Sequence, residues 1–173
     1  MGESSLIFIS EYAPGWPAMF VAEGARLLAI LTGETYLVEH IGSTAVPGLA
    51  AKPVIDIMVG AESLAAIERH VQALADHGYV YVPGNEKVLP QRRYFEKLEG
   101  GAHMAHLHGV VSGTPFWVQH LAFRDALRAD PELVARYGAL KRRLATEHAG
   151  DREAYTAAKA PFIRSVLAGI GAI

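Results

Sequence analysis

Asp56 stands in the apolar run "VIDIMV", residues 54–59. An ionised carboxylate in such surroundings needs a partner: a metal, an Arg, a Lys or a helix N-terminus. Strand alternation puts Asp56 on one face with Val54 and Met58, and Ile55, Ile57 and Val59 on the other. The carboxylate then either caps a nearby loop and pairs with Lys52 or Arg93, or it does chemistry. His106 and His108 are two residues apart in "HMAHLHGVV", so on a strand both rings leave the same face. Two such imidazoles either bind a transition metal, donate to phosphate oxygens, or are simply satisfied, half-buried side chains. A neighbouring strand carrying Asp56 would complete a set of two histidines and one carboxylate. His103 lies near the start of the same strand and belongs to the set less securely.

Gly42-Ser43-Thr44 follows an apolar strand. Glycine permits a tight turn and close approach of a ligand to the backbone. Ser43 and Thr44 add hydroxyls beside exposed N–H groups, a cradle suited to phosphate. The plainer reading is a turn with an N-cap. The second glycine and the Gly-Lys-Ser/Thr of a Walker loop are absent. In "QRRYFEK", residues 91–97, alternation sets Arg93 on one face and Arg92 with Tyr94 on the other. A fixed guanidinium clamps phosphate or carboxylate bidentately. Arg93 and Lys52 are expected to steady the charge of a bound phosphate, with Tyr94 nearby. Most helix cations read as solvated faces; Lys141 and Lys159 are the two expected to turn inward to a ligand. Ser43 has His40, His106 and His108 as candidate bases, but no G-x-S-x-G elbow appears, which disfavours a serine hydrolase.

The elements that must position these residues are legible in outline. "PGWPAMFVAEGARLLAILTG" has helical apolar spacing at Met19, Phe20, Leu27, Leu28 and Leu31 and stops at Gly33. "TYLVEHIG" alternates like a strand, and "KPVIDIMVG" has the length and apolarity of a central one. "ESLAAIERHVQALADHGY" predicts one amphipathic helix ended by Gly78. A short strand "YVYV" and a loop "PGNEKVLP" follow. "RRYFEKLEGG" and "HMAHLHGVV" predict an antiparallel pair joined near Gly100-Gly101. The last third is helical, with starts signalled by Thr114-Pro115, Asp130-Pro131 and Asp151, and with Pro161 placed to kink or break the final helix. The expected fold is α+β: a mixed, mostly antiparallel sheet covered by helices, with further helices at the C-terminus.

With 173 residues, one domain spanning 1–173 is expected. The 16 Lys and Arg against 18 Asp and Glu give no nucleic-acid signal. The absence of cysteine excludes disulfides, thiolate catalysis and Cys-zinc sites. No run approaches the ~20 apolar residues of a membrane helix. "MGESSLIFIS" is too short and lacks the basic start of a signal peptide, and Met1-Gly2 is only a weak acylation signal. A soluble cytoplasmic protein is the expectation, and oligomeric state is open.

"EHIGSTAVPGLAAKPVIDIMV" resembles the signature of the GrpB-like family (UPF0157), and the likeness continues through "RRYFEK", "HLHGV", "FRDALRADPELVARYGALKRRLA" and "YTAAKAPFI". The family is also found as a domain appended to some dephospho-CoA kinases, and is grouped with the nucleotidyltransferase fold of the DNA polymerase beta-like superfamily. The resemblance implies Gly-Ser at the end of a first strand holding a triphosphate. Two acids one residue apart on a later strand would hold Mg²⁺ for nucleotidyl transfer. Gly42-Ser43 matches the loop and Asp56 the first acid, but Met58 stands where the second acid belongs. A thioether does not replace a carboxylate for Mg²⁺. If the His106 strand lies where the third acid usually sits, Asp56, His106 and His108 converge as metal ligands and catalytic groups. That set suits Mn²⁺, Zn²⁺, Ni²⁺ or Fe²⁺ better than Mg²⁺. Three functions follow as expectations: a nucleotidyltransferase-like protein acting on a nucleotide or phosphorylated metabolite; a degenerate module that binds such a ligand without turnover; and metal-dependent hydrolysis or isomerisation at an Asp-His-His site.

Overall fold

The computed structural model describes residues 7–173; Met1-Gly2 and the start of the N-terminal apolar run lie outside the described residues. Five strands form one sheet: β1 (Leu37–Ile41), β2 (Ile55–Ala61), β3 (Tyr79–Tyr81), β4 (Arg92–Glu99) and β5 (Ala102–Val111), in the order β1-β2-β5-β4-β3. Only the β2–β5 pairing is parallel; the other three are antiparallel. The sheet is therefore mixed and mostly antiparallel, as the sequence predicts. β2 is an interior strand with helices packed over both faces of the sheet, which explains why its residues are apolar on both.

Among the described residues six α-helices flank the sheet: α1 (Trp16–Ile30), α2 (Leu64–Glu68), α3 (Val71–Ala75), α4 (Pro115–Ala129), α5 (Pro131–Glu147) and α6 (Arg152–Gly169). The first three cover one face. There Ile55, Ile57, Val59 and Ala61 of β2 pack with Leu27 of α1, Ile67 of α2, Leu74 of α3 and Phe95 of β4. Burying each such large side chain contributes roughly 1.5–3 kcal/mol. On α1 only part of the anticipated stripe is inward: Leu27 and Leu31 are buried, whereas Met19 and Leu28 are exposed. Glu23 ties α1 to the sheet from within the core, accepting hydrogen bonds from Tyr79 Oη at 2.7 Å and from Lys97 Nζ.

The opposite face carries the C-terminal helices. Met58, Ile41 and Val110 pack against Trp117 of α4. A further cluster joins Val46 and Leu49 to Leu127 and Tyr137, with Phe162 and Ile163 of α6 against it. Asp130 caps α5 by accepting from the backbone N–H of Glu132 and Leu133, and Asp151 caps α6 by accepting from that of Ala154. Thr114 holds the N-cap position of α4 with Pro115 in the first turn, as expected, but its hydroxyl donates to Val111 O at 2.8 Å instead of accepting from the helix. Pro161 lies inside α6 without dividing it.

The single helix predicted across 62–79 is two short ones. His70 separates α2 from α3, with φ −100° and ψ 5°. Its Nε2 lies 3.1 Å from Thr32 O and 3.0 Å from Tyr36 Oη, and this capture of the ring accompanies the break. Among the described residues no helix is long and apolar enough to cross a membrane.

Candidate functional site

Register decides what meets at the sheet centre. Asp56 is opposite His106 and Met58 opposite His108 across β2–β5. Across β4–β5, Tyr94 is opposite His108, Glu96 opposite His106 and Arg92 opposite Val110. Alternation therefore puts Asp56, His106, His108, Arg92, Tyr94 and Glu96 on the face that α4 and α6 cover. A cavity of about 280 Å³ opens there between Gly42, Ser43, Asp56, His120, Phe123 and Lys159. Beside it lies a wider cleft walled by Arg92, Tyr94, His106, His108 and Arg152.

Asp56 Oδ1 is 3.1 Å from His106 Nδ1 and 3.5 Å from His108 Nε2. Burial alone would raise the Asp56 pKa, but hydrogen bonds from the two imidazoles hold it well below the usual carboxylate range. Arg92 Nη1 lies 3.2 Å from His108 Nδ1. A guanidinium only donates, so His108 accepts there and carries its proton on Nε2, facing Asp56; the tautomer follows from the partners. Burial depresses the His108 pKa, and Arg92 adds to this against the pull of Asp56. Tyr94 stacks obliquely beside both imidazoles, with centroids 5.6 and 5.4 Å away, and Arg92 lies over its ring.

Gly42 is needed where it stands. Its φ is +70° and ψ −171°, and a Cβ there would lie 2.5 Å from Asp56 Oδ2. The turn thus brings bare backbone against the carboxylate. Ser43 begins a single 3₁₀ turn, and its Oγ accepts from Lys141 Nζ at 2.7 Å. Lys141 is 2% exposed, donates also to Ala50 O, and lies over the Tyr137 ring. Burial, with Lys159 and Arg142 nearby, pushes its pKa down to about 7. Burial likewise brings Lys159 down to about 8, with Lys52 and Arg152 adding to the shift and Asp56 opposing it. Lys52 is lowered by burial and by Arg152. Ser43, Lys52, Lys141, Lys159, Asp56 and His106 line one further pocket between β2 and the C-terminal helices.

One expected position is corrected. Arg93 points to the α2 side, where its Nε donates to Glu68 at 2.6 Å and its Nη1 lies 3.4 Å from Glu86. The parity of the strand sends it there, and Arg92 takes the place beside the histidines. Thr44 lines the same pocket as Ser43, Lys141 and Lys159, and its Oγ1 lies 3.0 Å from His40 Nε2. Gly42, Ser43, Lys52, Asp56, Tyr94, His106, His108, Lys141 and Lys159 do come together. Sequence reasoning missed Arg92, His120 and Arg152 in the cleft. The pairing of Arg92 with Tyr94 by parity was the signal for the first; the other two are brought in by helix packing alone.

The two-Mg²⁺ site implied by the resemblance does not fit these residues. Met58 is fully buried among Ile41, Val110 and Trp117, so the position two residues after Asp56 supplies no carboxylate. Asp56 itself is already engaged by two imidazoles, and nitrogen donors are poor Mg²⁺ ligands.

Known proteins place the chain. The family model described as GrpB protein matches residues 6–168. The UPF0157 protein YqkA of Bacillus subtilis is 34% identical across 89% of this chain, which spans 44% of that protein's length. Glutamate-rich protein GrpB of Alkalihalophilus pseudofirmus is 34% identical, covering 96% of this chain and 95% of its own. A dephospho-CoA kinase of Mycolicibacterium paratuberculosis is 33% identical over 87% of this chain and 42% of the kinase. The crystal structure of GrpB from Enterococcus faecalis superposes with a TM-score of 0.81 at 37% identity, over 92% of this chain and 94% of that one. With the family pattern spanning nearly all of its length and the fold shared at this level, the chain belongs to the GrpB family.

Proposed function

We propose that the cavity between β2, β5 and the C-terminal helices binds a nucleotide or another small phosphate ester. The observation that carries this reading is that Lys52, Lys141 and Lys159 line one pocket together with Ser43 and a single carboxylate, Asp56. Clustered, desolvated lysines depress one another's pKa. A phosphate would relieve that repulsion and restore their charge. Phe123, Leu127 and Tyr137 supply an apolar wall of the kind that takes a base or other flat group.

A second reading, phosphoryl or nucleotidyl transfer, is favoured by the Asp56–His106 hydrogen bond. Asp56 orients the imidazole and leaves Nε2 as the free nitrogen, the arrangement of a general base held by a carboxylate. Asp56, with its pKa held low, is a poor proton acceptor and acts through the imidazoles. Met58 speaks against a two-metal route.

Calorimetry and thermal shift with ATP, AMP, pyrophosphate and inorganic phosphate test the binding. A ligand at 100 times its Kd should stabilise by about 2.7 kcal/mol. Lys159→Met should abolish most of that gain. The absence of any response to phosphate esters, or an unchanged response in Lys159→Met, would overturn the proposal. Turnover of a labelled nucleotide that Asp56→Asn abolishes would favour transfer; binding without turnover would leave the chain a binding module.

A further inference from the structure

The β4–β5 hairpin carries an irregularity that moves a third histidine. Lys97 pairs with Ala105 and Leu98 with His103, so Met104 is an extra, bulged residue. In a regular strand His103 and His106, three positions apart, would leave opposite faces. The bulge resets the parity and puts His103 on the face of Leu98, Glu96 and His106.

One ligand atom from each of Glu96, His103 and His106 lies within 4.8 Å of the others. Glu96 Oε2 and His103 Nδ1 are 3.9 Å apart. Ligands bound tetrahedrally at ~2.0–2.1 Å are roughly 3.4 Å from one another, so only a small closure separates this arrangement from coordination. Glu96 and His103 are partly exposed and free to make it, with side chains 25% and 38% accessible. The independent observation comes from His106. It is 9% exposed, its Nδ1 is engaged by Asp56, and its Nε2 is buried without a hydrogen-bond partner among the described residues. A buried ring nitrogen left unsatisfied is rare, and a metal is one of the few groups that would satisfy it.

We propose that Glu96, His103 and His106 bind a divalent transition ion of the zinc type, with Nε2 as the His106 ligand. Two imidazoles and one carboxylate suit Zn²⁺, Co²⁺ or Ni²⁺ and not Mg²⁺ or Ca²⁺. Asp56 then has a clear part: it is the carboxylate behind a metal-binding imidazole, fixing the tautomer and strengthening the ligand. His108 stays outside, held between Asp56 and Arg92. Three protein ligands leave a coordination position for water or for an anionic group, and Glu96 and His106 also wall the wider cleft. The site does not depend on whether the lysine pocket takes phosphate. It does occupy the Nε2 that the transfer reading uses as a base, so an ion bound here excludes His106 as that base.

The experiment uses the full chain stripped with EDTA, then titrated with Zn²⁺ by calorimetry and with Co²⁺ by visible absorption, in phosphate-free buffer. One equivalent should bind. His103→Ala and Glu96→Gln should each weaken it by about tenfold or more, on the scale of lost metal-site groups. His108→Ala should bind as the unaltered chain does. His103 is exposed, so its replacement keeps the fold, and circular dichroism checks this. Substoichiometric binding, or affinity unaffected by His103→Ala, would overturn the site. So would an ion lost in His108→Ala but retained in His103→Ala, which would move it to the Asp56 set. A parallel phosphate titration in EDTA separates failure here from failure of the phosphate-binding proposal.

Discussion

Replacing Lys141 with Met should change how the protein's stability responds to pH. In the folded chain Lys141 loses its proton near pH 7, while its ordinary value is 10.5. Between those values the unfolded chain binds more protons at this position than the folded one. Stability of the unaltered protein therefore rises with pH across that window; below about 7 both states hold the proton and the contribution is flat. From pH 7, where the folded group is half titrated, to pH 9 the proton difference amounts to about 1.7 units, or about 2 kcal/mol. In Lys141→Met this contribution is absent. The stability difference between the two proteins should thus move by about 2 kcal/mol over the interval, in favour of the unaltered protein at high pH. At ~2–4 °C per kcal/mol for a chain of this size, Tm curves should diverge by ~4–9 °C.

Lys159, Arg142 and Asp56 act on Lys141 and remain in both proteins, so most of their own pH dependence cancels. Loss of the Lys141 charge lets Lys159 hold its proton to higher pH, which alters the residual slope without removing the effect. Urea unfolding at pH 6, 7, 8 and 9 at constant ionic strength reads the difference directly. Parallel curves would refute the buried, depressed ammonium, and with it the electrostatic case for an anion site. The same groups make a ligand prediction. Phosphate binding should be tightest below about pH 7, weaken as pH rises through about 8, and take up protons in calorimetry run in buffers of different ionisation enthalpy.

Gly42→Ala should destabilise by at least ~1–3 kcal/mol from its glycine-only backbone geometry, plus the clash with Asp56 Oδ2; an unchanged urea midpoint would refute that contact. Arg92→Ala should weaken phosphate-ester binding while Arg93→Ala leaves it alone and costs at most ~1 kcal/mol of stability, since Arg93 serves only partly exposed ion pairs. Met58→Asp should destabilise by more than ~3 kcal/mol without creating Mg²⁺ binding, because it puts a charge among Ile41, Val110 and Trp117; denaturation with a Mg²⁺ titration checks both halves.

The sheet was readable because its pattern is local. "KPVIDIMVG" and "HMAHLHGVV" are too apolar for anything but interior strands, and glycines at 100 and 101 mark the hairpin. Alternation placed Asp56 opposite to Ile55 and Ile57 and kept the two histidines together. What parity could not supply was which face would be roofed by the C-terminal helices. On sequence grounds both faces are equally open, and nothing in the run marks Arg92 rather than Arg93 as the cation on the roofed face. The break at His70 was hidden for a related reason: its cause lies in Thr32 and Tyr36, far along the chain. The bulge at Met104 has no Gly or Pro to announce it, so His103 could not be placed.

The cavity is made of parts that carry no common motif. Asp56 and the histidines come from the sheet, Ser43 from a loop, and Lys141 and Lys159 from α5 and α6, which follow the last strand. Packed against the sheet they become an excess of positive charge: Lys52, Arg92, Lys141, Arg152 and Lys159 face Asp56, Glu96 and Glu153. Desolvated like charges are tolerated only where something compensates them. Asp56 is too engaged with His106 and His108 to do so fully, because their hydrogen bonds already consume one of its oxygens. That residue of uncompensated charge is the physical reason to look for an anion in this cavity. It holds whether the bound phosphate is transferred or merely held.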